Sequence, residues 1–261
     1  VTGLKLPQAS LDVVIASADT QGMQWSIATE HPVEIGFNGQ AWTVMMASPS
    51  DLEDLAYGLA LSEGVLRPGT QPDAINIATF PEGSTVDVRI ADDRIARDRL
   101  KRRSLDGHSG CGLCGIESLA ELHPPRTARN AAHRIADDAV EAAFAALGRH
   151  QPLNQRTHSV HAAAWCAPTG EIEFVREDVG RHNALDKLIG LLATAGKLQA
   201  DGFILMSSRC SFELVYKCAV TRASALATLS APTSLALDLA RLINLEILTR
   251  GPGGHVVRLG E

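Results

Sequence analysis

The chain has 261 residues, is 45% hydrophobic and contains five cysteines, enough material for a substantial core in one large or two modest units. A formal net charge of −6 speaks against generic nucleic-acid binding, and no apolar run reaches membrane-spanning length. An odd number of unevenly spaced cysteines does not make a disulfide framework, and the start lacks the charged and apolar regions of a signal peptide, so the expected compartment is the cytoplasm.

In chain order, Val33–Phe37 and Ala41–Met46 flank Asn38-Gly39, the signature of a hairpin with a type I′ turn. Ser50 with Glu53 offers a capping box, Leu52, Leu55, Ala56 and Leu59 line one helix face, and Gly64 stops that helix. Ile75–Thr79 and Thr85–Ile90 form a second hairpin, so the first part reads as a small α+β layer. From Ala91 to Gly110 charges of both signs crowd together, which reads as an exposed connection. A second polar stretch, His123–Arg134, places a boundary that separates residues 1–134 from 135–261, and a helix with an acidic first turn follows from Asp137 to Leu147, with Gly148 just beyond.

The second half changes rhythm. Strands at Val160–Cys166 and Glu171–Val175 are followed by Phe203–Met206 with a helix from Ser211, then Ala225–Leu229 with a helix through Leu242. This alternation predicts an α/β layer with a partly parallel sheet, whose ligands would sit beyond the carboxyl ends of the strands. Three loops there share a chemistry: Arg176 to Asn183, with Asp178, Gly180, Arg181 and His182; Ser207-Ser208-Arg209; and Ser230 to Ser234, with Thr233 and with Pro232 suited to a first helical turn. Hydroxyls, guanidinium groups and helix N-termini would suit a phosphate-bearing ligand, and simple capping by Ser and Thr is the competing account. Neither a P-loop nor a dinucleotide fingerprint is present.

The chemistry-bearing motif lies between the halves, in Gly110-Cys111-Gly112-Leu113-Cys114-Gly115. Glycines joint the segment, and Ile116, Leu119, Ala120 and Leu122 recur at helical spacing behind it, so Cys114 falls near a helix start, where free N–H groups favour a thiolate. Lys101, Arg102, Arg103 and His108 would act the same way. A zinc site would need a second pair, and Cys166, Cys210 and Cys218 do not make one. A zinc deaminase would show H-x-E before P-C-x-x-C, which is absent; His158 and His161 read as hydrogen-bonding residues in or beside a strand, and His182 as a ligand contact or a proton donor. Asp178 reads as a partner of Arg176 or Arg181 as readily as a group that does chemistry, and Lys187 as a surface residue of its helix. A reactive thiol pair handling sulfur or electrons remains.

Several stretches together resemble the FdhD family, the formate dehydrogenase accessory sulfurtransferases: Cys111 to Gly115, Glu177 to Lys187, Ser208-Arg209 with Ser211, Glu213 and Lys217, and Ser230 to Ser234. The resemblance implies a sulfur carrier that receives persulfide sulfur from a cysteine desulfurase. It passes that sulfur to the molybdenum cofactor, in its bis-molybdopterin guanine dinucleotide form, before formate dehydrogenase or a related molybdoenzyme takes it up. It further implies Cys111 as the persulfide carrier with Cys114 as its partner, a C-terminal domain like cytidine deaminase with no protein-ligated metal, and a homodimer. The implied cofactor pocket includes Leu248, Thr249, Arg250, Gly251, Pro252 and Gly253 beside Asp178, Arg181, His182, Ser208, Arg209, Ser230 and Thr233. The chain departs from the family pattern at Thr157 to His161, at Ser207-Ser208-Arg209 and at Ile247 to Arg250, where family glycines are replaced. A cofactor-holding chaperone and a thiol–disulfide oxidoreductase are the alternatives.

Overall fold

The computed structural model describes residues 4–14, 24–67, 69–100 and 134–259. Strands β1 (Ser10–Val14) and β2 (Gln24–Ala28) pair as an antiparallel ribbon. Next come β3 (His31–Phe37), β4 (Gln40–Ala47), α1 (Leu52–Ser62), β5 (Ala74–Phe80) and β6 (Gly83–Arg89). Their four strands lie in the order β4-β3-β6-β5, two hairpins joined by parallel pairing of β3 with β6. The short α2 (Arg97–Leu100) precedes α3 (Asp137–Ala146), α4 (Pro152–Thr157), β7 (His161–Cys166), β8 (Ile172–Asp178) and α5 (Arg181–Thr194). The chain ends with β9 (Phe203–Arg209), α6 (Phe212–Cys218), β10 (Ala225–Ser230), α7 (Ser234–Leu242), β11 (Glu246–Arg250) and β12 (Val256–Leu259). The six strands from β7 onward form one sheet, ordered β12-β11-β10-β9-β7-β8, with β9, β10 and β11 parallel and the others antiparallel. The mixed α/β class and the partly parallel sheet follow the sequence pattern.

Local chemistry accounts for several of these elements. The first hairpin turns at Asn38 and Gly39, both with positive φ (52° and 81°), as a type I′ turn demands. The Asn38 side chain then bridges to the backbone of Ile90 through two hydrogen bonds of 2.8 Å, fastening the turn to the next hairpin. One extra residue in β4, Trp42, is accommodated by a register break between Ile35 and Gly36; it turns the indole inward, edge-on to Phe37 at 5.3 Å. Three expectations need correction. The helix at Leu52 has Asp51 as its N-cap in the left-handed region with no side-chain cap, so the capping box of Ser50 and Glu53 is not formed. Gly148 does not stop α3, which tightens into a 3-10 turn over residues 147–150. Residues 91–100 are no loose connection: Ile95 bridges to Leu66, and Ile95 and Leu100 pack on the core.

The layers follow from side-chain alternation along the six-stranded sheet. Ala162, Ala164, Cys166, Phe203, Leu205 and Leu248 face α3, whereas Ala163, Trp165, Ile204, Met206, Leu226 and Ile247 face the helices on the other side. That second cluster is continuous with Val33, Ile35, Phe37, Val86 and Val88 of the four-stranded sheet, so α1 and α5 are sandwiched between the two sheets. Nine of the eleven residues of α1 are buried accordingly, far more than the single face its leucines suggest. The two helices cross almost backbone to backbone. A Cβ on Gly58 would stand 1.7 Å from the Asp186 carbonyl oxygen, and one on Gly190 would stand 2.0 Å from that of Asp54. Only hydrogen fits at either position.

Candidate functional site

The register of the six-stranded sheet brings the three polar loops to one edge. β7 starts at His161 opposite Asp178, the last residue of β8, and the Ala162 N–H donates to the Ser207 hydroxyl near the end of β9. Arg209 pairs with Ser230 at the end of β10, the Thr233 N–H donates to the Cys210 carbonyl, and Thr249 lies beside Thr228. The carboxyl ends of β8, β9, β10 and β11 therefore form a continuous row with the start of β7, roughly 20 Å long at the usual strand spacing.

At the centre of that row, α5 begins with Arg181 and His182, and α6 follows Arg209 and Ser211. Capping does not account for the polar residues, because α5, α6 and α7 all lack a side-chain cap hydrogen bond. Instead, three buried polar atoms are left without a hydrogen-bond partner: Arg181 Nε, His182 Nε2 and Ser211 Oγ. His182 Nε2 stands 3.8 Å from Glu213 Oε2, an ion-pair distance beyond hydrogen-bond reach. Burial alone would raise the Glu213 carboxyl, but His182, the residue's own N–H and the nearby Ser211 outweigh it and hold its pKa at about 2. Burial and the like charge of Arg209 push the Arg181 pKa below its ordinary value, against the opposing pull of Glu213. His161 is lowered by burial and by Arg181 and His182. Four cationic or potentially cationic side chains thus converge on a spot whose described counter-charge is Glu213. Such a cluster accepts an anion.

Other expected contacts fare differently. Asp178 is fully buried and pairs with neither Arg176 nor Arg181; its partner is Lys187, equally buried, at 2.6 Å. The reading of Lys187 as a surface residue is overturned by this pair. Arg176 is committed to Asp54 at 2.7 Å. The Ser208 hydroxyl donates to the Arg209 carbonyl. Leu248 is core, and the Thr249 hydroxyl donates to the Thr228 carbonyl, because both side chains lie inside the sheet and leave only backbone to a ligand. Ser230 and Thr233 are exposed on the edge, with Thr233 the N-cap of α7 and Pro232 before it, outside the first turn. Arg250 leads into the loop of Gly251, Pro252 and Gly253, where Gly253 takes φ 72° and a Cβ on Gly251 would come within 2.5 Å of the Val257 side chain. His158 caps α4 in the left-handed region, against Trp25, not within a strand. Ser211, Glu213 and His161 were not singled out as site residues by the sequence. The run Arg209-Cys210-Ser211-Phe212-Glu213, polar at every second position into a helix start, was the available signal.

Burial sorts the thiols. Cys166, Cys210 and Cys218 are fully buried. Burial pushes the Cys166 thiol far up and the Cys210 thiol to about 12, leaving neither a useful thiolate fraction. Cys111, Cys114 and the helical spacing behind them lie outside the described residues. Among the described residues no group of three or more His, Cys, Asp and Glu could hold a metal ion, and no helix is long and apolar enough to cross a membrane.

Comparison with known proteins adds an independent finding. The profile of the FdhD/NarQ family matches residues 28–256. A sulfur carrier protein FdhD from Chromobacterium violaceum is 51% identical over 218 residues, covering 82% of this chain and 81% of its own. One from Xanthomonas campestris pv. campestris is 45% identical over 233 residues, covering 89% and 82%. A crystal structure assigned as a formate dehydrogenase accessory protein from Desulfotalea psychrophila superposes with a TM-score of 0.69 over 95% of each chain at 20% identity, which shows a shared fold.

Proposed function

The chain belongs to the FdhD/NarQ family, and from that premise we propose that it is a sulfur carrier linked to formate dehydrogenase. In this reading it accepts sulfur from a cysteine desulfurase and hands it to the bis-molybdopterin guanine dinucleotide form of the molybdenum cofactor. The half up to residue 134 carries Cys111 and Cys114, and the half from 135 on holds the acceptor. The single observation that carries the cofactor part is the group of buried atoms without a hydrogen bond on Arg181, His182 and Ser211, gathered beside Arg209 with Glu213 as the nearby counter-charge. Buried polar atoms without partners are costly, and a phosphate's oxygens would satisfy them.

The sulfur chemistry in this reading uses Cys111 and Cys114. The Cys111 thiolate attacks the outer sulfur of the desulfurase persulfide; that S–S bond breaks, the desulfurase cysteine leaves as a thiolate, and Cys111 becomes the persulfide with no net redox change. At delivery the Cys114 thiolate attacks Cys111 Sγ. The outer sulfur then departs as hydrosulfide toward the acceptor with the electron pair of the broken bond, a Cys111–Cys114 disulfide remains, and a thiol reductant restores both thiols. Arg181 and Arg209 bind and orient the acceptor's phosphates, while Ser211 and His182 offer neutral or charged donors beside them.

Incubation of the protein with a cysteine desulfurase and cysteine is expected to add the mass of one sulfur to the peptide containing Cys111. The Cys111→Ala variant should lose both that mass and the capacity to mature formate dehydrogenase in cells. Maturation at the parent level by Cys111→Ala would refute the carrier reading.

A further inference from the structure

We propose that Asp178 and Lys187 are positioning residues for the anion-binding edge, acting through Ser48 to fix the turn that presents Arg181 and His182; the proposal rests on the reading of that edge as a nucleotide site. The Asp178 carboxylate collects four donors. Its Oδ2 accepts the Ser48 N–H at 2.9 Å and Lys187 Nζ at 2.6 Å, and its Oδ1 accepts the Gly180 N–H at 2.8 Å and Asn183 Nδ2 at 3.0 Å. Four donors fill a carboxylate's lone-pair sites, so nothing is left over for a ligand.

The other half of the device lies in the loop between β4 and α1. Lys187 Nζ also donates to the Ser48 carbonyl at 3.0 Å and lies 3.4 Å from that of Glu177, while the Val179 N–H donates to Ser48 Oγ at 3.2 Å. Ser48 is thereby held by its N–H, its hydroxyl and its carbonyl. Asn183 adds a link from Nδ2 to the Met46 carbonyl at 2.8 Å. Gly180, squeezed between Asn183 and Asp178, has a Cβ position only 3.0 Å from Asn183 Nδ2. Residues 178–183 are therefore clamped by a segment about 130 positions earlier, and the clamped turn runs directly into Arg181 and His182. A buried ion pair is a poor source of net stability compared with apolar groups of similar volume, so the cost of keeping two charges here is better explained by the geometry they impose.

The test is calorimetric titration of guanosine diphosphate into the full chain, read beside chemical denaturation. Asp178→Asn leaves a buried ammonium unpaired and should lower stability and affinity together. The double variant Asp178→Asn/Lys187→Met carries no unpaired charge; it is expected to recover the unfolding midpoint while affinity stays weaker than the parent by about tenfold. Recovery of affinity along with stability would show that the pair merely holds the fold, and would overturn the proposal. Should the double variant fail to fold, Asn183→Ala decides: weaker binding at an unchanged midpoint supports positioning, and parental affinity overturns it. Arg181→Ala is the control on the underlying reading. If the parent does not bind guanosine diphosphate, or Arg181→Ala binds it as the parent does, the nucleotide reading falls and the proposal with it. If Arg181→Ala loses binding while the double variant keeps it, only the positioning role is overturned.

Discussion

The layer where α1 crosses α5 and the carboxyl edge of the six-stranded sheet are both buried and both charged, yet they treat their polar atoms in opposite ways. Between the helices every ion has its partners. Lys217 Nζ reaches both oxygens of Asp186 at 3.0 and 2.8 Å, Ser62 Oγ at 3.0 Å and Glu63 at 3.1 Å, and the Ser62 hydroxyl closes the ring onto Asp186 at 2.7 Å. At the edge, Arg181, His182 and Ser211 each keep a buried atom unmatched while Arg181 and Arg209 repel each other. The lesson is that a matched network reports on the fold, whereas a cluster with an excess of cations and with atoms left without hydrogen bonds reports on something the molecule is built to receive.

Breaking the matched side should cost most. Lys217→Met leaves the Asp186 carboxylate buried without its cation, and a loss of about 3 to 5 kcal/mol in a denaturant titration is expected; a variant as stable as the parent would show that the network is idle. The glycine contact comes next. Because Gly190→Ala must push apart two backbones now in contact, a cost of about 1 to 3 kcal/mol or more is expected, with Gly58→Ala comparable. Retention of the parental midpoint in both variants would mean that the helices do not cross as closely as described.

These same regions differ in how far they could be read from the sequence. The hairpin at Asn38-Gly39 and the strand–helix alternation of the second half were legible because local residue types dictate them. The near-complete burial of α1 was not, since Leu52, Leu55, Ala56 and Leu59 mark one face and nothing local says that Gly58 will meet Asp186 of a helix far along the chain. At the edge, Arg181, His182 and Arg209 could be proposed from their place at helix starts. Asp178 looked like one of them, but its fate is decided by Ser48 and Lys187, partners that only the tertiary structure supplies. Leu248 and Thr249 offer a ligand only their backbone, because both side chains are taken up inside the sheet, by the core and by a hydrogen bond to Thr228. The ribbon of β1 and β2, the short α4 and the closing β12 were not anticipated, being brief segments that depend on neighbours for their order.

On the unmatched side the expected signs reverse. Arg209→Ala removes a charge that Arg181 repels, so stability should hold or rise slightly while affinity for guanosine diphosphate falls by about tenfold, the loss of one charge-assisted contact. Calorimetry with paired denaturation separates the two effects. A variant that loses stability and keeps its affinity would move Arg209 from the unmatched cluster to the matched scaffold.

The remaining effect, and the one that sharpens the comparison most, is the acid limb of stability at Glu213. Its carboxyl is held at about 2 in the fold against an ordinary 4.5, so the ionised form is favoured by folding. A depressed folded pKa contributes stability that is fully present above 4.5 and drains away as pH falls from there toward 2, because the unfolded chain takes up the proton first. Glu213→Gln should therefore lie below the parent at neutral pH and converge with it in acid, in denaturant midpoints measured across that window. The convergence also tests the site. Glu213 is the described counter-charge to a cationic cluster, so an anion seated on Arg181 and Arg209 should compete with it. Guanosine diphosphate is then expected to stabilise Glu213→Gln more than the parent, and an equal stabilisation of both would separate the carboxylate from the anion site.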